Sequence, residues 1–184
     1  MKVYTIIGGV NGAGKSSLTG VLKSRMSDLG VIVDVDKITA RLGKGAIEGG
    51  KSAIAVIDDC LAKGVSFTQE STLSGMRVER TAKIARGQDY YVRLFYVGLN
   101  TPDESIKRIK NRVEKGGHDI PSDDVTRRFN ERFEALRRVL PYCDEAALFD
   151  NENGFIQVAE YRNGEIVPLV DTRPAWLISL VGEA

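Results

Sequence analysis

Val3-Tyr4-Thr5-Ile6-Ile7-Gly8-Gly9-Val10-Asn11-Gly12-Ala13-Gly14-Lys15-Ser16-Ser17 is the stretch that decides the fold of this chain. It runs from an apolar segment through a glycine-rich turn into an amphipathic one, the order strand, loop, helix. Gly9, Gly14, Lys15 and Ser16 satisfy the spacing G-x-x-x-x-G-K-[ST] of a Walker A phosphate cradle. Glycine suits the turn because a Cβ would crowd successive N–H groups that must point inward at a phosphate oxygen, and the following helix adds its positive N-terminal end. The candidate nucleotide-binding residues are therefore Gly9, Asn11, Gly12, Ala13, Gly14, Lys15, Ser16 and Ser17. Lys15 is placed to reach the β- and γ-phosphates of ATP, and the Ser16 hydroxyl is the candidate Mg²⁺ ligand. The bland alternative is an ordinary glycine-rich turn.

Beyond this stretch, strand and helix patterns alternate, which predicts an α/β fold: a three-layer α/β/α arrangement around a largely parallel sheet. The pattern predicts a helix over 15–28, a strand over 31–35, a helix over 46–63, a strand over 65–69, a helix over 76–87 and a long strand over 90–98. Pro102 opens a helix to about 115, Gly116-Gly117 and Pro121 interrupt it, and a further helix runs to about 139. Strands at 147–149 and 155–161, the Asn163-Gly164 turn and a strand at 165–169 make a C-terminal hairpin, with a short helix after Pro174. The 184 residues suit a single domain, with a lid over about 108–132 and the hairpin over about 155–169.

Charge narrows the partners. Lys plus Arg (26) nearly balances Asp plus Glu (25), so no overall field draws the chain to nucleic acid or to an anionic membrane. Cys60 and Cys143 show no metal-site spacing and read as small buried residues, while a lone His118 builds no histidine cluster. With neither a leader pattern nor an apolar run of spanning length, the sequence reads as cytoplasmic.

The strand ends supply the candidate chemistry. Asp34 and Asp36 stand at the C-terminal end of the second strand, where open α/β sheets gather their ligands. Asp36 is best read as accepting the proton of an attacking hydroxyl, with a helix cap or a Mg²⁺ ligand as the alternatives. Glu70 and Thr72, after the third strand, can hold a polar substrate or order Mg²⁺-bound water, or they simply cap the next helix. The segment from Arg108 to Pro121 has the composition of a hinged lid, and Arg112 and Arg128 are its candidate phosphate-binding arginines. Arg128 flanks the buried stripe Val125, Phe129, Phe133, Leu136 and Leu140, whereas Arg127 points to the opposite face.

Taken in order, Gly9 to Ser17, Asp34 to Ile38, Glu70 to Gly75, Arg108-Ile109 with Arg112-Val113, Gly116 to Pro121, Arg128-Phe129 and Phe149 to Asn151 resemble the zeta-toxin-like P-loop kinases. The resemblance implies an ATP- and Mg²⁺-dependent kinase. Beside the Walker A Lys15, it places the catalytic roles on Asp36, Arg112 and Arg128, and substrate binding on Asp36, Glu70 and Thr72. Asn151 falls beside the adenine in this comparison, with an Asx-turn as its equal alternative. The acceptor implied is a small molecule, UDP-N-acetylglucosamine (a nucleotide sugar) first, and an antitoxin protein is the implied partner. Glu-Ser-Thr stands here where Glu-Thr-Thr or Glu-Gly-Thr is common, and the chain is shorter than the well-known toxins. A weak ATPase or nucleotide-dependent interaction protein, and a kinase of nucleic-acid 5′ ends or of an antibiotic hydroxyl, are the rival readings.

Overall fold

A computed structural model describes residues 1–43, 46–117 and 119–182, without the side chains of Asp36, Ala40, Leu42 and Ala46. His118 lies outside the described residues.

The chain runs β1 (Val3–Gly8), α1 (Lys15–Lys23), β2 (Val31–Val33), α2 (Val35–Leu42), α3 (Ala46–Lys63), β3 (Phe67–Ser71), α4 (Arg77–Gly87), β4 (Tyr91–Gly98) and α5 (Pro102–Glu114). It continues with α6 (Ser122–Asn130), α7 (Arg132–Val139), a 3-10 turn at Leu140–Tyr142, β5 (Glu145–Asp150), β6 (Ile156–Arg162), β7 (Glu165–Pro168) and α8 (Ala175–Val181). The strands form one seven-stranded sheet in the order β2-β3-β1-β4-β5-β6-β7. β2, β3, β1, β4 and β5 are parallel, and the β6–β7 hairpin adds two antiparallel strands at one edge. The fold is the α/β architecture that the alternating pattern predicts.

All six residues of β1 are buried, because this strand is covered on both faces and carries apolar residues almost continuously. Ile6 belongs to the larger core, which includes residues of α3, α4, α7 and α8. Ile7 belongs to a smaller one with Leu18 and Leu22 of α1 and Phe129 of α6. Successive residues of β1 thus divide between the two faces.

Several boundaries differ from the sequence pattern: β3 runs Phe67–Ser71 instead of 65–69 and β5 Glu145–Asp150 instead of 147–149, and three larger differences have local reasons. α1 stops at Lys23 instead of 28: the Ser24 hydroxyl bonds the Val21 carbonyl, and Asp28 leaves the helix to pair with Arg93. Val21, expected in the core stripe, is 36% exposed. β2 stops at Val33 because Asp34 starts an additional helix, α2, accepting from the Lys37 amide at 3.2 Å. The long helix expected up to 139 breaks at Glu131 into α6 and α7, with Val125, Phe129, Leu136 and Leu140 still buried along it. Among the described residues no helix is long and apolar enough to cross a membrane.

Candidate active site

The loop between β1 and α1 is held from three sides by the protein's own groups. Gly12 has a φ of +76°, and a Cβ there would lie 2.9 Å from the Ser105 carbonyl oxygen of α5. Gly14 has a φ of +102°, and its Cβ would lie 2.5 Å from Asn151 Nδ2. Only glycine combines that backbone conformation with those approaches. The Asn151 amide donates to the Ala13 carbonyl at 2.9 Å, and the Asn151 carbonyl accepts from Arg108 at 2.8 Å. Ser105, which is fully buried, donates to the Asn11 carbonyl, and Arg128 donates to the Asn11 side-chain oxygen at 3.1 Å.

Lys15 donates from Nζ to the carbonyls of Gly9 at 2.9 Å and Val10 at 3.0 Å, which folds its ammonium back over the loop. The Ser16 hydroxyl donates to Glu70 Oε2 at 2.6 Å, and the buried Thr19 hydroxyl, one turn further along α1, donates to Glu70 Oε1 at 2.7 Å. Glu70 can reach them because β3 pairs directly with β1 and ends beside the loop. A hydroxyl and a carboxylate are hard oxygen donors of the kind that Mg²⁺ takes together with phosphate oxygens and water. Among the described residues no group of three His, Cys, Asp or Glu side chains converges on a metal position.

These groups line one cleft of about 850 Å³ beyond the C-terminal ends of the parallel strands. Lys15 and Ser16 line it from the start of α1; Asp34, Thr39, Gln69 and Thr72 line it from the β2–α2 and β3 side; Arg112, Pro121, Asp124, Arg127 and Arg128 belong to α5, α6 and the segment joining them. Arg127 is engaged by Asp124 at 2.9 Å and Glu131 at 3.4 Å, leaving Arg128 as the α6 arginine that reaches the loop. The Thr72 hydroxyl donates to that of Ser74 at 3.1 Å.

Several expected residues sit differently from their sequence reading. Glu70, expected at a substrate, at Mg²⁺-bound water or in a helix cap, is bonded to Ser16 and Thr19, beside the candidate Mg²⁺ ligand. The helix-capping alternative weighed for Asp36 belongs to Asp34, whose carboxylate also pairs with Lys37 Nζ at 2.9 Å and holds that ammonium's pKa above its usual value. Asp36 is the second residue of α2, and its side chain lies outside the described residues. The Asx contact weighed for Asn151 is made by Asp150, whose carboxylate accepts from the Glu152 amide at 3.0 Å. Ser105 and Arg108 escaped the sequence reading as loop-holding groups, since a serine and an arginine in an ordinary polar helix give no signal. Thr19 did leave one: it lies three residues after Ser16, on the same side of a helix.

No family model matches the chain. An uncharacterised protein of Haemophilus influenzae is 32% identical to it over 126 residues, spanning 66% of this chain and 88% of that protein. Among solved structures, a chain of the AvrRxo1-ORF1:AvrRxo1-ORF2 complex superposes with a TM-score of 0.72 at 16% identity, over 98% of this chain and 63% of its own. The same complex has been solved with ATP. A chain of the PezAT chromosomal toxin-antitoxin system of Streptococcus pneumoniae gives a TM-score of 0.65 at 17% identity, over 98% of this chain and 77% of its own. A candidate kinase of Chloroflexus aurantiacus gives 0.58 at 16% identity, over 82% and 88%. The chain thus spans less than two thirds of the AvrRxo1 chain, and at these identities what is shared is the P-loop kinase-like fold.

Proposed function

The chain belongs to one family with the uncharacterised Haemophilus influenzae protein, and from that premise we propose that it is an ATP- and Mg²⁺-dependent kinase of the zeta-toxin-like kind. It moves the γ-phosphoryl group to a hydroxyl of a small-molecule substrate. The observation that carries the reading is the contact between Ser16 and Glu70 at the mouth of the phosphate cradle, with an arginine from α6 on the same loop.

In this reading the loop amides from Asn11 to Ser17 and the Lys15 ammonium bind the phosphates, with Lys15 exchanging its carbonyl partners for phosphate oxygens. Ser16 and Glu70 would hold Mg²⁺, which supplies charge neutralisation at the β- and γ-phosphates. Arg112 and Arg128 place guanidinium groups over the transferred group and exclude water as α5 and α6 close. Asp36 accepts the proton of the attacking hydroxyl, and Thr72 orients the acceptor from the end of β3. Asn151 acts on the nucleotide through Ala13, keeping the loop in its phosphate-binding shape.

UDP-N-acetylglucosamine is the first acceptor to try, on the strength of the family resemblance. Protein, Mg-ATP and a panel of metabolites, read by mass spectrometry, will show an added phosphate on one acceptor. Asp36→Asn abolishes that transfer while nucleotide binding persists. Nucleotide bound with no acceptor ever modified sinks the kinase reading, and full transfer by Asp36→Asn removes Asp36 as the base. The PezAT likeness supports an antitoxin partner for this chain, for which co-purification of a neighbouring gene product with the protein is the check.

A further inference from the structure

The tip of β3 splits the cleft by simple alternation. Glu70 points to the α1 side and takes the Ser16 and Thr19 hydroxyls, whereas Gln69, one residue earlier, points to the opposite face of the sheet. There Gln69 is only 6% exposed, and its Oε1 accepts from the hydroxyl of Tyr4 at 2.6 Å. Tyr4 is fully buried and pairs in register with Phe67, against whose ring its own stacks at 4.4 Å. Burial holds the Tyr4 pKa well above its usual value, so the phenol stays protonated and needs an acceptor. Turning the Gln69 amide round would leave that buried proton unsatisfied, which fixes Oε1 on Tyr4 and Nε2 toward the cleft. Among the described residues Nε2 meets no hydrogen-bond partner, and Gln69 lines the cleft with Asp34 and Thr39.

The register explains the company. Val33 of β2 pairs with Gln69, so Asp34 leaves the sheet beside it and α2 brings Thr39 over the same end. Two apolar residues would fill the positions of Tyr4 and Gln69 with no buried polar group to satisfy. Keeping a tethered carboxamide there departs from the apolar rule for a strand interior, as residues at functional sites do. No aromatic ring lines the cleft among the described residues, so recognition at this end is by hydrogen bonds, not stacking.

We propose that Gln69 is a specificity-determining residue: its amide nitrogen donates to an oxygen of the phosphate acceptor other than the attacking one. Tyr4 is its positioning residue, acting through the core. The inference rests on the kinase reading above and extends it to the acceptor, which must carry a second oxygen, hydroxyl, ether or carbonyl, within reach of the reacting hydroxyl.

The experiment measures kcat and KM for transfer from Mg-ATP to UDP-N-acetylglucosamine, free hexoses and hexosamines, linear polyols and ribonucleosides. It uses wild type, Gln69→Met, Gln69→Asn and Tyr4→Phe, with Mg-ADP titrations and thermal melts on the same preparations. For whichever acceptor the wild type phosphorylates, KM rises about tenfold or more in both Gln69 variants and by a smaller factor in Tyr4→Phe, the loss expected for one oriented hydrogen bond. Mg-ADP affinity stays within about twofold, because the nucleotide sits on the other face of the strand. An acceptor KM unchanged in folded Gln69→Met overturns the proposal. Should that variant not fold, the same result in Gln69→Asn overturns it. Mg-ADP binding by a wild type that phosphorylates nothing in the panel defeats the kinase reading itself and this inference with it, an outcome distinct from transfer with unaltered KM.

Discussion

Arg128 of α6 donates from Nη1 to the side-chain oxygen of Asn11 across 3.1 Å, tying the arginine to the tip of the phosphate loop. The Asn11 carbonyl accepts at the same time from Ser105 of α5. Asn11 therefore meets both helices of the lid region, one through its backbone and one through its side chain. A neutral amide oxygen holds a guanidinium only moderately, so the arginine can pass to a more negative oxygen arriving beside it.

On the proposed kinase reading, that exchange makes Asn11 a positioning residue for Arg128. In Asn11→Ala, affinity for Mg-ADP stays within about twofold while affinity for Mg-ADP with aluminium fluoride, which mimics the transferring group, falls by about fivefold to tenfold. Arg128→Ala loses about a hundredfold on the same mimic, and adding Asn11→Ala to it costs little more. Fluorescence titration of the four proteins checks this. Additive losses would show that the two residues act separately.

Glu70 gives a sharper division between metal and acceptor roles. Both its oxygens are occupied by hydroxyls of α1, one of them the candidate Mg²⁺ ligand. Glu70→Ala should raise the Mg²⁺ concentration for half-maximal nucleotide binding by about 10–100-fold, the usual cost of losing a group that orients a ligand. The acceptor KM at saturating Mg²⁺ should move far less. A Mg²⁺ titration in both proteins separates the roles: an unchanged metal requirement with a raised acceptor KM returns Glu70 to the substrate.

How far the sequence carried is clear from these residues. The cradle was legible because its chemistry is local: glycines, lysine and serine at fixed spacing next to a strand. The parallel sheet followed from alternating periods of 2 and 3.6 residues. Glu70 on Ser16 was not legible, since it depends on β3 lying next to β1, a pairing across more than fifty positions. The same holds for Asn151 on Ala13 and Tyr4 on Gln69. Helix α2 gave no signal because Val31 to Val35 is a β-branched run that reads as strand to its end, and only the Asp34 cap turns it.

Arg93 illustrates a buried charge tied to one loop. It is 5% exposed in mid-sheet, bonded to Thr5 Oγ1 at 2.9 Å and to both oxygens of Asp28 at 3.0 and 3.1 Å. The hydrogen bonds from Arg93 hold the Asp28 carboxyl below its usual pKa. A lowered folded pKa means stabilisation that is complete above the unfolded value, about 3.9, and is lost as pH falls through the folded one. Because the Asp28 side chain is 40% exposed, solvent screens the pair, and Asp28→Asn should cost about 1–2 kcal/mol at pH 7. Urea unfolding at pH 7 and in acid should show the gap between the two proteins closing as pH falls. A gap that persists unchanged in acid would assign the loss to packing.

The two cysteines should be silent in the folded protein. Cys60 and Cys143 are 2% and 8% exposed, and burial pushes the Cys143 thiol up to about 12 and raises that of Cys60. Since only the thiolate attacks, neither should react with a disulfide reagent at pH 8 until denaturant is added. Labelling rates that follow urea concentration as global unfolding does would bear this out, whereas one thiol titrating at once in native buffer would not.

The last helix is fixed to the sheet by one ring and the space left for it. Trp176 is 1% exposed, donates from Nε1 to Asp150 at 2.8 Å and lies against Gly98, where a Cβ would come within 2.2 Å of the indole. Gly98 has an ordinary negative φ, so its small size and not its backbone freedom is what the site needs. Gly98→Ala should therefore displace the ring, destabilising the protein by about 1–3 kcal/mol as overpacking does, against about 3–5 kcal/mol for Trp176→Ala. Both losses act through one contact, so the double variant should cost no more than Trp176→Ala alone. Thermal or urea unfolding of the three variants measures the coupling. Additive costs would mean that Gly98 is required for something other than the indole.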